Sequence, residues 1–445
     1  MRIVFIILSI FLFLVPAQAH SQDGVETPDY WIERLPSPDA VVLDAHGIAA
    51  FNGMVVSRVD QTADVAGVPD EISGDKLRAW LNHDPIPDLT SAKRYDARGR
   101  RIGRAFLNGI SSNMNTGAVA DRNPARFGVI LERGDVRGFP TDGPILRKPG
   151  HVSFDTVQYS SIYPGTPVAL LHVSKDKEWG FFQTPLIRGW IRLDKAAFGK
   201  RTDLAPISGV PLVITGSHVN VFADAAFGRP LASMPMGSAL AVTNESGAAW
   251  EVRFPARGTD GGLVWATAYV DKKADARRGF VPYTARNVIN QAFKMMGEPY
   301  GWGGMGGRRD CSEFLMDAFA TVGVRLPRNS QQQLLAGAVR PGGGAAFTND
   351  SLMDALAHAR PGVAFLATSG HIMLYLGEVD GRPYVIHQAH GYTAKNRKHI
   401  VDRVAVSPLG WGKKTDRPGV WPLLQRVKTV TEPSLSVDYK VAAGL

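Results

Sequence analysis

Apolar positions are spaced differently in successive stretches of the chain, and each spacing predicts a different structure. From Ile3 to Val15 they form a run preceded by Arg2 and ended by Pro16, with Ala17-Gln18-Ala19 behind it. A run that short, followed by a small-x-small site and no basic stop-transfer flank, predicts a cleaved signal peptide over 1–19, with an uncleaved anchor as the alternative. From 20 to 128 the pattern is loop- and helix-rich. Leu77, Trp80 and Leu81 recur at helical spacing behind Ser73, a candidate N-cap. Residues 91–127 carry few apolar runs and predict a loop-heavy segment wrapped over another unit.

From 129 the pattern becomes short apolar runs broken by turn residues: Phe127–Leu131, Pro167–Val173, Trp179–Phe182 and Gly189–Ile191. The same texture returns in Val210–Ile214, Val219–Phe222, Ala239–Thr243, Trp250–Phe254 and Leu263–Trp265. Strands at this spacing predict two small all-β barrels in tandem, over 129–203 and 204–284. Trp179 and Trp190 are expected in the barrel core. Helical periodicity resumes at Asn287–Met296, followed by a Gly-rich turn, a second helix and strands. Helix-then-sheet order predicts an α+β unit over 285–428, with 429–445 as a C-terminal tail. The expected fold class is therefore multidomain.

The chain has 445 residues, 44% hydrophobic and 20% charged, an ordinary globular composition. Its formal net charge of +9 favours polyanionic surroundings such as a cell wall. No helix-turn-helix, zinc-finger or aromatic-interleaved basic stretch is present, so nucleic acid is disfavoured. No later segment is long and apolar enough to span a bilayer. The mature protein is expected to be exported, periplasmic or wall-associated, monomeric and without stable membrane insertion.

Cys311 is the one cysteine in the chain. Exported proteins commonly pair cysteines, so a lone thiol is either buried filler or chemistry. It follows Tyr300-Gly-Trp-Gly-Gly-Met-Gly-Gly-Arg-Arg-Asp310. The glycines predict a loop that lets backbone approach something closely, but neither phosphate-loop template fits. Phe314, Leu315, Ala318, Phe319 and Val322 share one helical stripe, and Gly323 stops it. Cys311 thus begins a helix and faces a packed layer, where the helix N-terminus favours thiolate. Ser369–Gly377 reads as a strand, with His371, Met373 and Tyr375 on one face and Ile372, Leu374 and Leu376 on the other. A second strand, Arg382–Gln388, follows the turn at 379–382. Hairpin pairing would bring His387 beside His371 as an orienting group. Satisfied structural histidines are the alternative, and a zinc pair lacks further ligands.

Five short motifs, in order, make the combination specific: Tyr300-x-Trp-Gly-Gly, Asp310-Cys-Ser, Leu326-Pro-Arg-x-Ser330-x-x-Gln333, Gly370-His-Ile-x-x-Tyr-Leu-Gly377 and Val385-Ile-His387. Together they resemble the NlpC family of papain-like cell-wall cysteine peptidases, and the Trp179–Ile191 stretch resembles bacterial SH3-like domains. The resemblance implies Cys311 as nucleophile, His371 as base, His387 as orienting residue and Tyr300 as an oxyanion donor. Asp310 and Ser312 would hold a substrate amine, with helix capping as the equal alternative, and Trp302 would wall the cleft. The implied substrate is the γ-D-glutamyl–diamino acid bond of peptidoglycan stem peptides or muropeptides, cut without cofactor or metal. The alternatives are an amidase or transpeptidase on another wall bond, or a wall-binding protein without catalysis. Arg308 and Arg309 could face substrate carboxylates or be solvated loop charges. Glu313 replaces the family's usual Gly, Asp is missing after Gly362, and His390 competes with His387 for the orienting role.

Overall fold

A computed structural model describes residues 24–83, 89, 92–204, 208–334, 336–341, 349–394, 397–410 and 427–435; the predicted signal peptide lies outside them. The N-terminal segment contributes helices α1 (Pro28–Ile32), α2 (Ala45–Arg58), α3 (Gly74–His83) and α4 (Arg104–Asn113). It also holds a short pair of strands, β1 (Glu71–Ser73) and β2 (Arg122–Pro124). Asp44 caps α2 by accepting the Gly47 N–H at 2.8 Å. α3 starts directly after Ser73 and buries Leu77 and Leu81. The segment divides its buried apolar side chains between two partners. Trp31, Phe51 and Val55 enter the core of the last unit, while Leu77, Leu81, Ile110 and Met114 pack with Trp179 and Trp190 of the first β unit.

The first β unit is a seven-stranded antiparallel sheet: β3 (Arg126–Ile130), β4 (Gly134–Arg137), β5 (Gln158–Ile162), β6 (Pro167–Val173), β7 (Trp179–Gln183), β8 (Arg188–Arg192) and β9 (Ala196–Phe198). The strand order is β5-β4-β8-β7-β6-β3-β9. Trp179 and Trp190 are both buried. The second unit comprises β10 (Leu212–Ile214), β11 (His218–Phe222), β12 (Pro230–Pro235), β13 (Ala239–Leu240), β14 (Val242–Ser246), β15 (Ala249–Arg257), β16 (Leu263–Asp271) and β17 (Ala276–Arg278). These strands divide into sheets of three, β13-β10-β17, and five, β12-β11-β16-β15-β14. Both sheets contribute side chains to one core, among them Leu212, Val221, Val252 and Val270.

The last unit is α+β. Thr284 caps α5 (Ala285–Phe293) through the Asn287 N–H at 3.2 Å. There follow α6 (Cys311–Ala320), α7 (Ser330–Gln333), β18 (Ala338–Pro341), α8 (Asn349–Ala357), β19 (Phe365–Thr368), β20 (His371–Val379), β21 (Arg382–Ala394), β22 (Arg397–Pro408) and β23 (Thr429–Glu432). The sheet order is β18-β23-β19-β20-β21-β22. Period-two alternation sorts β20 between two layers: Ile372, Leu374 and Leu376 join the core containing α5 and α6, and Met373 and Tyr375 the core containing α8. Asp380 and Gly381, both at positive φ, make the two-residue turn that favours tight hairpin closure into β21. The expected tail at 429 is corrected here. Thr429, Val430 and Thr431 are buried and pair with β18 and β19, so this strand joins the edge strand β18 to the rest of the sheet; residues 436–445 lie outside the described ones.

Candidate active site

Cys311 is the first residue of α6 and Asp310 is its N-cap. The Asp310 carboxylate accepts from Glu313 N at 3.0 Å, Ser312 Oγ at 3.0 Å, Gly303 N at 3.0 Å and both terminal nitrogens of Arg328, at 3.2 and 2.8 Å. Burial alone would raise its pKa, but the Arg328 charge and these hydrogen bonds hold it below the usual carboxylate range. Asp310 and Ser312 are both buried. Both carboxylate oxygens are occupied by the cap and by Arg328, which accounts for Asp310 through the capping alternative. Arg328 itself, inside the Leu-Pro-Arg motif, received no role from sequence; it also donates to Ser160 Oγ at 2.8 Å.

The thiol departs from expectation. Burial first, and then the Asp310 charge, push Cys311 up to about 12, against the opposing help of the Ile372 N–H, Arg328 and the Ser312 N–H. A carboxylate placed at the helix N-terminus offsets the favourable end of the dipole. The resting site therefore holds a neutral thiol, hydrogen-bonded to the amide that follows His371. Burial pushes His371 down to about 4, so its imidazole is neutral and able to accept a proton near pH 7.

His371 Nε2 meets His387 Nδ1 at 2.7 Å, and His387 Nε2 meets Ser407 Oγ at 2.9 Å. His387 is fully buried, and burial followed by the His371 charge drives its pKa well below 6.5. A neutral His387 can accept at Nδ1 only if its proton is on Nε2, pointing at Ser407. In that arrangement His371 carries its proton on Nε2, and Nδ1 is its acceptor nitrogen. Ser407 was missed from sequence. The available signal was register: His387 pairs with Ala405, which puts Ser407 two positions along β22 on the same face. His390 stands elsewhere, with Nδ1 3.3 Å from Asp402 Oδ1 and Nε2 3.3 Å from Lys398 Nζ.

Tyr300 is buried, and burial followed by the Cys311 and Asp310 charges raises its phenol pKa. Trp302 is half-exposed and packs its ring against Phe154 of the first β unit, 5.3 Å between centroids. Between Trp302 and Arg308, Gly303, Gly304, Gly306 and Gly307 all adopt positive φ. What this loop approaches is β5. A Cβ at Gly303 would lie 2.7 Å from the Gln158 carbonyl oxygen, and one at Gly304 would strike Ser161. Gln158 Nε2 donates to Gly303 O at 2.9 Å and Arg133 Nη2 to Gly304 O at 2.7 Å. The glycines are thus the joint between the first β unit and the helix that begins at Cys311.

Arg308 is exposed, but Arg309 is neither solvated nor open to a substrate. It is buried and bonds Asp317 through Nε at 2.6 Å, Glu298 at 2.6 Å and Ser217 of the second β unit at 2.9 Å. A loop charge becomes structural because two carboxylates and a second domain converge on it. Glu313 is also buried; Ser161 of the first β unit donates to it at 2.8 Å, and burial above all pushes its carboxyl up to about 7. Among the described residues, no three His, Cys, Asp or Glu are grouped to hold a metal, and no helix is long and apolar enough to cross a membrane.

A thiol at a helix start and, on an antiparallel sheet, a half-buried imidazole bonded to a fully buried one are the side chains that thiol-dependent hydrolysis uses. Residues 297–403 match the NlpC/P60 family profile, and residues 144–192 match that of the SH3 domain of SH3b1 type; the chain carries an NlpC/P60-family domain behind an SH3-type domain. The solved NlpC/P60 endopeptidase from Photobacterium damselae subsp. piscicida is 20% identical, with a TM-score of 0.70 over 87% of this chain and 90% of that one. That likeness reaches well beyond the catalytic unit and shows a shared fold. An NlpC/P60 family protein from Bacillus cereus ATCC 10987 is 16% identical over 69% of this chain and 99% of its own, TM-score 0.48. The peptidoglycan hydrolase RipB from Mycobacterium tuberculosis is 26% identical over 34% of this chain and 65% of its own, TM-score 0.22. No curated protein matches the chain.

Proposed function

We propose that the chain is an exported cysteine endopeptidase that hydrolyses the γ-D-glutamyl–diamino acid bond of peptidoglycan stem peptides. The observation that carries this reading is the relay from Ser407 through His387 to His371, next to which the Ile372 amide holds the Cys311 sulfur. His371 Nδ1 takes the Cys311 proton as sulfur attacks the γ-carbonyl. The oxyanion is received by the Tyr300 hydroxyl and the Cys311 backbone N–H. The imidazolium then gives its proton to the departing amine of the diamino acid, leaving a thioester. Water, deprotonated by the same imidazole, attacks the thioester and releases the γ-D-glutamyl acid and the thiol. His387 acts through His371 by fixing its tautomer.

Trp302 and the first β unit would wall one end of the cleft, and the second β unit would be a further SH3-like barrel. Recognition of a free N-terminal amine by Asp310 and Ser312 belongs to the same reading, although the amine would have to share the carboxylate with Arg328. The test is product mass from L-Ala-γ-D-Glu-diaminopimelate and its N-acetylated form. Cleavage of the free-amine peptide alone, at the γ-D-glutamyl bond, supports the whole reading. Equal cleavage of both removes the amine pocket. Cleavage at another bond supports the amidase alternative, and wall binding without cleavage supports the non-catalytic one.

A further inference from the structure

Phe154 stands where the first β unit meets the cleft. Its ring lies 5.9 Å from Tyr300, 5.3 Å from Trp302 and 4.6 Å, edge-on, from His390. It also stacks with His151, from its own unit, at 5.7 Å. A single side chain of the β unit therefore touches three rings of the catalytic domain, and Tyr300 is the one of these beside Cys311.

The loop that presents Phe154 is anchored. The next residue, Asp155, is buried and pairs with buried Arg137 at 2.8 Å, and it accepts the Ile145 and Val157 N–H groups at 2.9 and 3.1 Å. Arg137 also donates to Gln158 at 3.0 Å, and Gln158 donates in turn to Gly303 in the joint after Tyr300. On the catalytic side, the Tyr300 N–H is held by the Asp402 carbonyl at 3.2 Å. Asp402 has a φ of +52° and its carboxylate meets His390 at 3.3 Å. The His390 ring is 5.5 Å from that of Tyr300. Backbone bonding fixes one end of Tyr300, and Phe154 and His390 confine its ring. What stays to be set by that confinement is the position of the hydroxyl.

We propose that Phe154 is a positioning residue for the reaction, a part of the first β unit that holds the Tyr300 hydroxyl where the oxyanion forms. The inference rests on the thiol-peptidase reading above. An oxyanion donor must sit within hydrogen-bond reach of the developing charge, and a displacement of about 1 Å can cost on the order of a hundredfold in rate. A residue acting this way lowers kcat and leaves ground-state binding alone, whereas a simple cleft wall changes KM.

The test is a double-mutant cycle on the full mature chain with the wall tripeptide. Tyr300→Phe is expected to lower kcat by roughly a hundredfold. Phe154→Ala is expected to lower it about tenfold with KM held within about twofold, and Phe154→Tyr, which keeps the ring, to restore it. The pair Phe154→Ala with Tyr300→Phe is expected to be no slower than Tyr300→Phe alone. Losses that multiply, or a rise in KM alone, would overturn the proposal. Absence of turnover in the wild type counts against the peptidase reading and not against this one. A second measurement, independent of turnover, then decides: the Tyr300 phenol titration, taken as the difference spectrum against the matching Tyr300→Phe chain. Phe154→Ala is expected to bring it down toward the ordinary phenol value of 10.0, and an unmoved titration would overturn the proposal.

Discussion

Ser407→Ala removes one hydroxyl from a buried site that contacts no substrate in the proposed mechanism, yet it should slow the reaction. The hydroxyl is the partner of His387 Nε2 at 2.9 Å, and His387 is fully buried, so no solvent replaces it. Leaving a buried donor unpaired costs about 1–3 kcal/mol. His387 can escape that cost by moving its proton to Nδ1, where it faces His371 Nε2 at 2.7 Å. His371 would then have to accept at Nε2 and carry its own proton on Nδ1, the wrong tautomer for taking a proton from sulfur. If the whole penalty enters the tautomer balance, the competent population falls by roughly 5- to 150-fold, since about 1.4 kcal/mol is a factor of ten. The assay is steady-state hydrolysis of the wall tripeptide, with KM and thermal midpoint measured on the same preparation. The expected result is a kcat lowered within that range, KM unchanged, and substantial recovery in Ser407→Thr. An unchanged kcat in a folded Ser407→Ala protein would refute the tautomer argument, and an equal loss in Ser407→Thr would refute the role of the hydroxyl.

Two further outcomes follow from the charges around the helix. Alkylation of Cys311 by iodoacetamide in the free protein should climb about tenfold per pH unit from neutrality into the alkaline range. A folded pKa of about 12 leaves thiolate on the order of one part in ten thousand at pH 8; a plateau between pH 6 and 8 would instead indicate a preformed thiolate–imidazolium pair. Arg309→Leu should destabilise the protein by about 3 kcal/mol, because Glu298 and the more deeply buried Asp317 lose their common partner. A thermal or denaturant midpoint equal to wild type would contradict that.

The parts of this molecule governed by local rules were readable from the chain. Helix periodicity behind Cys311, alternation through 371–376 and the Asp-Gly turn place sulfur, imidazole and hairpin without any knowledge of the other domains. The face assignment of Ile372, Leu374 and Leu376 follows directly from that alternation. What stayed hidden depends on convergence from far along the chain. Arg309 reads as a loop charge until Ser217, more than ninety residues earlier, closes over it. The glycines at 303 and 304 announce a close approach, but only the fold shows that β5 is what comes near. The strand at 429–432 is four residues long, and its partners lie some sixty to ninety residues earlier in the chain, so nothing local marks it and it reads as a tail. The expected thiolate failed for a related reason: the helix dipole is local and visible, whereas the combined effect of burial and the Asp310 charge depends on what covers the site. Ser407 required the register between β21 and β22.

The central claim is that Cys311 is the nucleophile of a wall-peptide hydrolase. It is tested most directly by incubating wild type and Cys311→Ala, each shown to be folded, with L-Ala-γ-D-Glu-diaminopimelate and weighing the products. The account predicts L-Ala-γ-D-Glu and free diaminopimelate from the wild type and no product from Cys311→Ala. Cleavage by Cys311→Ala at the wild-type rate would contradict it.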